Sequence, residues 1–209
     1  MNSIRPILEA LEESHKHLNA SLFGSSLKTQ PVITIQSRGR KSVYGWYGCD
    51  HWKNEVSTPA ELNIVAEELH RKPGDILGTL LHEMCHQKAS ESKIKDCSRN
   101  GRYHNRKFKE IAEKHGLLTE EKSKALGFGV TKLAPAGRAA IDCLMSKVTD
   151  ALTVSRIPAV PGKSKSKMLL YMCDCGFKIR CGKSTLEATC NLCQSPFVNQ
   201  DATNEKDGV

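Results

Sequence analysis

The feature that most restricts the fold of this 209-residue chain is a pentapeptide, His82-Glu83-Met84-Cys85-His86, inside an apolar segment. After a break at Pro73-Gly74-Asp75, apolar residues recur at helical spacing, at Ile76, Leu77, Leu80, Leu81 and Met84. Residues four apart share one face of a helix, so His82 and His86 can reach a single ion. Neutral imidazole suits Zn²⁺, and Glu83 beside the pair can take a proton from water activated at the ion. This arrangement predicts a catalytic metal site.

A catalytic zinc site needs a third protein ligand. Ala89 and Ser92 stand where a short-spaced motif would continue with glycine and histidine. We expect His104 to be the third ligand, because it lies 18 residues after His86 on a loop that can fold back over the metal. Three rivals stay open at this point, namely Glu91, Glu110 and His115.

Five of the nine cysteines fall within 21 residues near the end of the chain. In a reducing compartment, such a cluster favours metal binding over disulfides. Two pairs with 14 residues between them match a closed Cys₄ zinc ribbon, and these are Cys173 with Cys175 and Cys190 with Cys193. The first pair is C-x-C where a ribbon usually has C-x-x-C, so Cys181 stays an alternate ligand. A segment this short has too little core to fold alone, so metal would supply its folding energy.

Hydrophobic periodicity predicts a mixed α+β fold. We expect helices over residues 4–22, from the break at 73–75 through the pentapeptide, over 105–116 and over 136–154. We expect strands at residues 31–36, 43–47 and 61–65, with the second strand returning beside the first.

Three segments together resemble the SprT-like family of zinc metalloproteins, namely Thr79-Leu-Leu-His-Glu-Met-Cys-His86, Gly101-Arg-Tyr-His-Asn-Arg-Lys-Phe108 and the cysteine pairs. Further matches to that family's pattern are Leu22-Phe-Gly24, Gly45-Trp46 and Glu61-Leu-Asn-Ile64. The resemblance implies a minimal zincin fold, with a small sheet packed on the HExxH helix. It implies His82, His86 and His104 as ligands of a catalytic zinc and Glu83 as the catalytic acid and base. It also implies metalloprotease activity in the repair of DNA–protein crosslinks.

The basic residues are concentrated in one part of the chain. It carries 31 basic and 23 acidic residues, a formal net charge of +8, and residues 155–183 hold seven basic residues against one acidic residue. Contacts from lysine and arginine to phosphates would give sequence-independent, salt-sensitive binding to single- or double-stranded DNA. The expected contacts in this stretch are Lys163, Lys165, Lys167, Lys178, Arg180 and Lys183, and a second patch near His104 comprises Arg102, Arg106 and Lys107.

These features divide the chain into four parts. Residues 1–154 are expected to form the SprT-like zincin domain, 155–168 a basic linker, 169–198 the zinc ribbon and 199–209 a disordered polar tail. No stretch approaches the roughly 18 apolar residues of a membrane span, and the first residues lack the pattern of a signal peptide. We expect a cytoplasmic protein associated with the nucleoid, or a nuclear one in a eukaryote, with no membrane partner.

The leading hypothesis is a zinc-dependent endopeptidase, with one catalytic and one structural zinc, that acts on proteins bound or crosslinked to DNA. Two alternatives stay open. One is a non-enzymatic DNA-binding protein in which the HExxH zinc is structural, and the other is a metallopeptidase with no nucleic-acid role.

Overall fold

The computed structural model describes residues 3–37, 43–49, 52–53, 55, 57–99, 101–121, 127–158 and 168–200. The chain divides into two units, Met1–Pro158 and Ala159–Val209. Residues 155–158, which are expected in the linker, belong to the first unit. The described residues form five α-helices and several small sheets, so the predicted α+β class is confirmed.

A three-stranded sheet in the first unit contains β1 (Val32–Gln36), β2 (Gly45–Gly48) and β3 (Glu61–Val65), in the order β1-β3-β2. The central strand β3 runs parallel to β1 and antiparallel to β2. The prediction that the second strand returns beside the first is therefore wrong. Every residue of β3 is buried, which agrees with its central position in the sheet.

The two long helices are α1 (Arg5–Phe23) and α2 (Pro73–Glu91). The helix α1 ends at Gly24, whose left-handed φ of 57° suits glycine. Pro73 lies in the first turn of α2, where the missing N–H removes no helical hydrogen bond. The two helices pack together, and the fully buried residues of α2 include Ile76, Leu77, Leu80, Leu81, Met84 and Cys85. The predicted helix through the pentapeptide is thus present, and it is largely buried in the first unit.

Three shorter helices complete the described helices of the first unit, namely α3 (Arg106–Lys114), α4 (Pro135–Asp142) and α5 (Met145–Ala151). The prediction of one continuous helix over 136–154 is wrong, because the chain turns at Cys143 and Leu144 between α4 and α5. Both α4 and α5 pack on α1 and α2. The turn lets Ile141 and Val148 each reach this core, whereas the apolar spacing alone is compatible with a straight helix.

Two short antiparallel ribbons lie around α3, and the sequence did not predict either of them. In the first ribbon, β4 (Cys97–Ser98) pairs with β5 (Tyr103–His104), with Cys97 opposite His104. In the second, β6 (Leu117–Glu120) pairs with β7 (Val130–Leu133). Strands of two to four residues are too short to show a period in the sequence.

The second unit contains a sheet of β8 (Leu169–Met172), β9 (Lys178–Cys181) and β10 (Val198–Asn199), in the order β10-β8-β9. The backbone N–H of Gln200 donates to the carbonyl of Leu170. Of the expected tail, Asn199 thus belongs to this sheet and Gln200 is hydrogen-bonded to it, whereas residues 201–209 lie outside the described residues. Among the described helices, none combines the length and the apolar character needed to cross a bilayer.

Candidate metal centres

Three histidine side chains of the first unit converge on one point. Helix α2 carries His82 and His86 one turn apart, and β5 ends at His104. The Nε2 atoms are 3.2 Å apart for His82 and His86, 3.3 Å for His82 and His104, and 3.1 Å for His86 and His104. The structure thus brings together the two histidines of the pentapeptide and the predicted third residue.

The spacing of the three Nε2 atoms fits a metal ion. Three nitrogens held at zinc-like bond lengths of about 2.0–2.1 Å and at tetrahedral angles lie roughly 3.3–3.4 Å from one another. The observed distances of 3.1–3.3 Å are close to this. Three ring nitrogens that face each other cannot all be satisfied by mutual hydrogen bonds, because a neutral imidazole that donates from Nδ1 has only a lone pair at Nε2. This histidine centre could therefore hold a metal ion.

The rings of His82 and His86 are oriented by contacts at Nδ1, the nitrogen that faces away from the cluster of Nε2 atoms. Nδ1 of His86 donates to Oδ2 of Asp96 at 2.6 Å, and Nδ1 of His82 lies 3.1 Å from the hydroxyl of Thr131 on β7. Nδ1 of His104 is buried without a hydrogen-bond partner. The sequence did not indicate Thr131 or Asp96, because neither belongs to a recognisable motif.

The protonation of the three rings differs. Burial, together with the neighbouring histidines, lowers the pKa of His82 well below its usual value and that of His104 to about 4. For His86 burial also lowers the pKa, but the hydrogen bonds to Asp96 and Cys97 and the charge of Glu83 together outweigh it, and the pKa rises to about 10. His82 and His104 are therefore neutral at pH 7, the form in which imidazole binds a metal.

Glu83 follows His82 on α2, and its side chain is buried. Burial raises the pKa of Glu83 to about 7, although His86 and a hydrogen bond from the backbone N–H of Tyr47 on β2 oppose the rise. A carboxyl group with a pKa near neutrality can both accept and donate a proton at neutral pH.

An aromatic side chain packs against all three histidines from within the core. The ring of Phe108 on α3 lies 4.8 Å from that of His82, 4.7 Å from that of His86 and 4.5 Å from that of His104. Phe108 is fully buried. The apolar ring of Phe108 therefore packs against all three imidazoles and restricts their movement.

Gly129 leaves the space that the ring of His104 fills. A Cβ at this position would lie 2.6 Å from Nδ1 and 3.0 Å from Cε1 of His104. Replacing Gly129 by Ala is therefore expected to displace the ring and to lower the metal affinity of the histidine centre by about 10- to 100-fold, as loss of an orienting contact does. Titration of the metal-free protein with Zn²⁺ against a chelator measures this.

The matched control for this variant is Gly78→Ala, inside α2, where a Cβ comes no closer than 3.9 Å to another residue. The control should keep the wild-type affinity, because alanine favours a helix. An unchanged affinity in Gly129→Ala would show that the placement of His104 does not depend on this glycine.

The rival third ligands lie elsewhere. Glu91 accepts hydrogen bonds from the backbone N–H groups of Lys28 and Thr29. Nδ1 of His115 lies 2.9 Å from the carbonyl oxygen of Leu22, and its ring stacks on Phe23. Glu110 is exposed on α3. None of the three belongs to a group of described residues that could hold a metal.

The second unit brings together four thiols, those of Cys173, Cys175, Cys190 and Cys193, all within 4.8 Å of one another. The Sγ atoms are 3.3 Å apart for Cys173 and Cys175, and 3.8 Å apart for Cys175 and Cys190. Four sulfurs bound tetrahedrally at zinc-like distances lie roughly 3.8 Å apart, so this cysteine centre also fits a metal ion.

Hydrogen bonds at the cysteine centre shift the pKa values of its thiols in opposite directions. Those with Cys173 and Cys193 raise the pKa of Cys175 to about 12, whereas the hydroxyl and backbone N–H of Ser195 lower the pKa of Cys193 to about 6. The pKa of Cys190 is also lowered, by the backbone N–H groups of Cys193 and Leu192, so the second cysteine pair favours the thiolate form that binds a cation. Cys181 lies outside the group, and its Sγ accepts from the backbone N–H of Lys183 at 3.5 Å.

Six of the nine candidate DNA contacts lie in the described part of the chain, and all six are exposed: Lys178, Arg180 and Lys183 in the second unit, and Arg102, Arg106 and Lys107 on either side of His104. Lys163, Lys165 and Lys167 lie outside the described residues. Phe177 has an exposed fraction of 54%, whereas Tyr171 is buried and donates to the carbonyl of Lys183. Of these two aromatic residues, only Phe177 is open to a stacking partner.

Comparison of the chain with protein-family models, with curated proteins and with solved structures finds no match.

Proposed function

We propose that this protein is a zinc-dependent metalloendopeptidase with a SprT-like zincin fold, and that it cleaves proteins bound or crosslinked to DNA. The observation that carries the proposal is the convergence of His82, His86 and His104 beside the buried carboxyl group of Glu83. Three imidazoles with one neighbouring carboxyl group match the ligand set and the acid–base group of a catalytic zinc site.

His82, His86 and His104 would hold the zinc through their Nε2 atoms. Bound there, zinc supplies a Lewis acid that polarises a peptide carbonyl and acidifies water. Glu83 accepts the proton of the attacking water and passes it to the nitrogen of the leaving amine. The backbone N–H of Tyr47 holds the carboxyl group in place during both transfers.

The position of strand β2 at an edge of the sheet supports the proposal that the substrate is a peptide. The strand lies beside α2, and Gly45 packs closely enough that a Cβ there would be 3.3 Å from Cγ of Glu83. In the described part of the chain, β2 pairs with β3 alone. An extended substrate can pair with the remaining main-chain groups at this edge of β2 through hydrogen bonds that depend little on sequence.

The exposed basic side chains of the second unit support the proposal that the partner is a nucleic acid. Lys178, Arg180 and Lys183 are exposed on or next to β9. Their contacts to phosphates would bring the peptidase to protein substrates that are attached to DNA.

The proposal is tested by cleavage of an unfolded protein in the presence of zinc, with and without single-stranded DNA. Cleavage should require zinc and should be stimulated by DNA. Changing Lys178, Arg180 and Lys183 together to Glu should remove most of the stimulation. It should also lower the slope of log affinity against log salt by about 2, because each phosphate contact to a single strand contributes roughly 0.7.

The matched control changes three exposed lysines of the first unit, Lys16, Lys28 and Lys114, to Glu. It should keep the wild-type response to DNA. If wild-type protein that has been saturated with zinc binds DNA without cleaving, the non-enzymatic alternative is correct. If it cleaves but does not bind DNA at low salt, the alternative with no nucleic-acid role is correct.

A further inference from the structure

We infer that Asp96 is the positioning residue of the histidine centre, and that it sets the orientation and the proton position of His86. This inference rests on the proposed metal centre. Asp96 follows α2 and lies outside the HExxH motif and the segment that carries His104.

The contact itself is short and partly buried. Oδ2 of Asp96 lies 2.6 Å from Nδ1 of His86, and each side chain has an exposed fraction of 15%. Hydrogen bonds between an imidazole and a carboxylate in this distance range are charge-assisted and strong. Because the carboxylate accepts the proton of Nδ1, a His86 ring that gives up its other proton to a metal ion presents its lone pair at Nε2, which faces the other two histidines.

The backbone holds Asp96 in a fixed relation to the third histidine. Asn105 follows His104 directly, and its backbone N–H donates to the carbonyl of Asp96. Its side-chain amide donates to the carbonyl of Lys95, while its Oδ1 caps α3 by accepting from Lys107 and Phe108. Cys97 pairs with His104 across the ribbon β4–β5. Asp96 therefore directly precedes β4, and His104 ends the paired strand β5, so the hydrogen-bonded ribbon links the orienting carboxylate to the third histidine.

A second metal site at this position is the competing explanation, because His86, Asp96 and Cys97 also bring three possible ligand atoms together. Two light-atom ligands of one tetrahedral ion lie roughly 3.3–3.5 Å apart. The 2.6 Å between Asp96 and His86 is too short for that and is typical of a hydrogen bond. The Sγ of Cys97 is 3.9 Å from Nδ1 of His86, on the side of the ring opposite Nε2. The geometry therefore favours an orienting contact.

The test measures zinc affinity in the full chain, with the cysteine centre as an internal reference. Asp96→Ala should lower the affinity of the histidine centre by about 10- to 100-fold, the usual effect of removing an outer carboxylate. Asp96→Asn should give a smaller loss, because its amide oxygen still accepts a neutral hydrogen bond. The cysteine centre should keep its affinity in both variants. Asp142→Asn, which changes an exposed carboxylate at the end of α4, is the matched control.

Nitrogen-15 NMR of the histidine rings gives a readout that a purely structural role would not change. In the zinc-loaded wild type, Nδ1 of His86 should carry a slowly exchanging proton, which should exchange faster in Asp96→Asn. Wild-type protein that binds zinc at the cysteine centre alone would contradict the proposed histidine centre itself. Wild-type protein that binds two zinc ions, with equal affinity and proton exchange in Asp96→Asn, would overturn the role of Asp96 alone.

Discussion

Replacement of Glu83 by Gln is expected to abolish protein cleavage while the histidine centre keeps its zinc. Glutamine retains the size of the side chain and can still accept the hydrogen bond from the backbone of Tyr47. It cannot take a proton from water. General acid–base catalysis contributes about 10²- to 10⁴-fold to a rate, so the rate of cleavage should fall by about that factor.

The fold should tolerate this change. Burial already disfavours the charged form of Glu83 by raising its pKa to about 7, and a neutral amide removes that conflict. The melting temperature should therefore stay the same or rise. The measurements are the initial rate of cleavage of an unfolded protein and the zinc content of the same sample.

The matched control is Glu110→Gln, which changes an exposed glutamate on α3 and should cleave at the wild-type rate. Undiminished cleavage by Glu83→Gln would rule out the role given to this carboxyl group. Loss of cleavage together with loss of zinc would assign Glu83 to the metal site instead.

Replacement of Cys190 by Ser is expected to unfold the second unit and to release one of two zinc ions. The buried apolar residues of this unit, within its described part, are Tyr171, Cys173 and Cys190. A core of this size cannot offset the conformational entropy of the unit, whereas structural zinc supplies on the order of 10–16 kcal/mol. Metal binding and folding of the second unit should therefore be one event.

Zinc content and hydrogen exchange measure this result. The zinc content should fall from two ions to one, and the backbone amides of residues 168–200 should lose their protection while those of the first unit keep it. Cleavage without DNA should persist, and its stimulation by DNA should be lost. The matched control is Cys181→Ser, whose thiol lies outside the cysteine centre. Loss of zinc in this control as well would make Cys181 a ligand.

Much of the secondary structure could be predicted because it depends on neighbours in the sequence. The helix through the pentapeptide is marked by a proline start and a helical apolar period, and α1 and β3 also lie where the local pattern places them. The order of the strands could not be predicted, because the residues within a strand do not indicate which other strands it pairs with. In the structure, β3 pairs with both neighbours and is buried along its whole length.

The residues of the candidate site also fall into those that the sequence predicts and those that only the fold brings together. The pair His82 and His86 follows from helical spacing, but the spacing left four candidates for the third ligand. The ribbon β4–β5 selects His104 by its hydrogen bonds. Asp96 on one segment, and Gly129 with Thr131 on another more than 30 residues later, contact the rings of the three histidines. No local pattern marks such residues.

The sequence by itself determined the buried helix with His82, Glu83 and His86, the four clustered cysteines and the concentration of basic residues after position 154. These features are short-range, since helical spacing and ligand spacing act over a few residues. Only the tertiary structure decided that β3 is central, that His104 completes the histidine centre and that Cys181 lies outside the cysteine centre. These outcomes depend on the packing of distant segments, where burial and complementary hydrogen bonds select one arrangement among several that the local patterns allow.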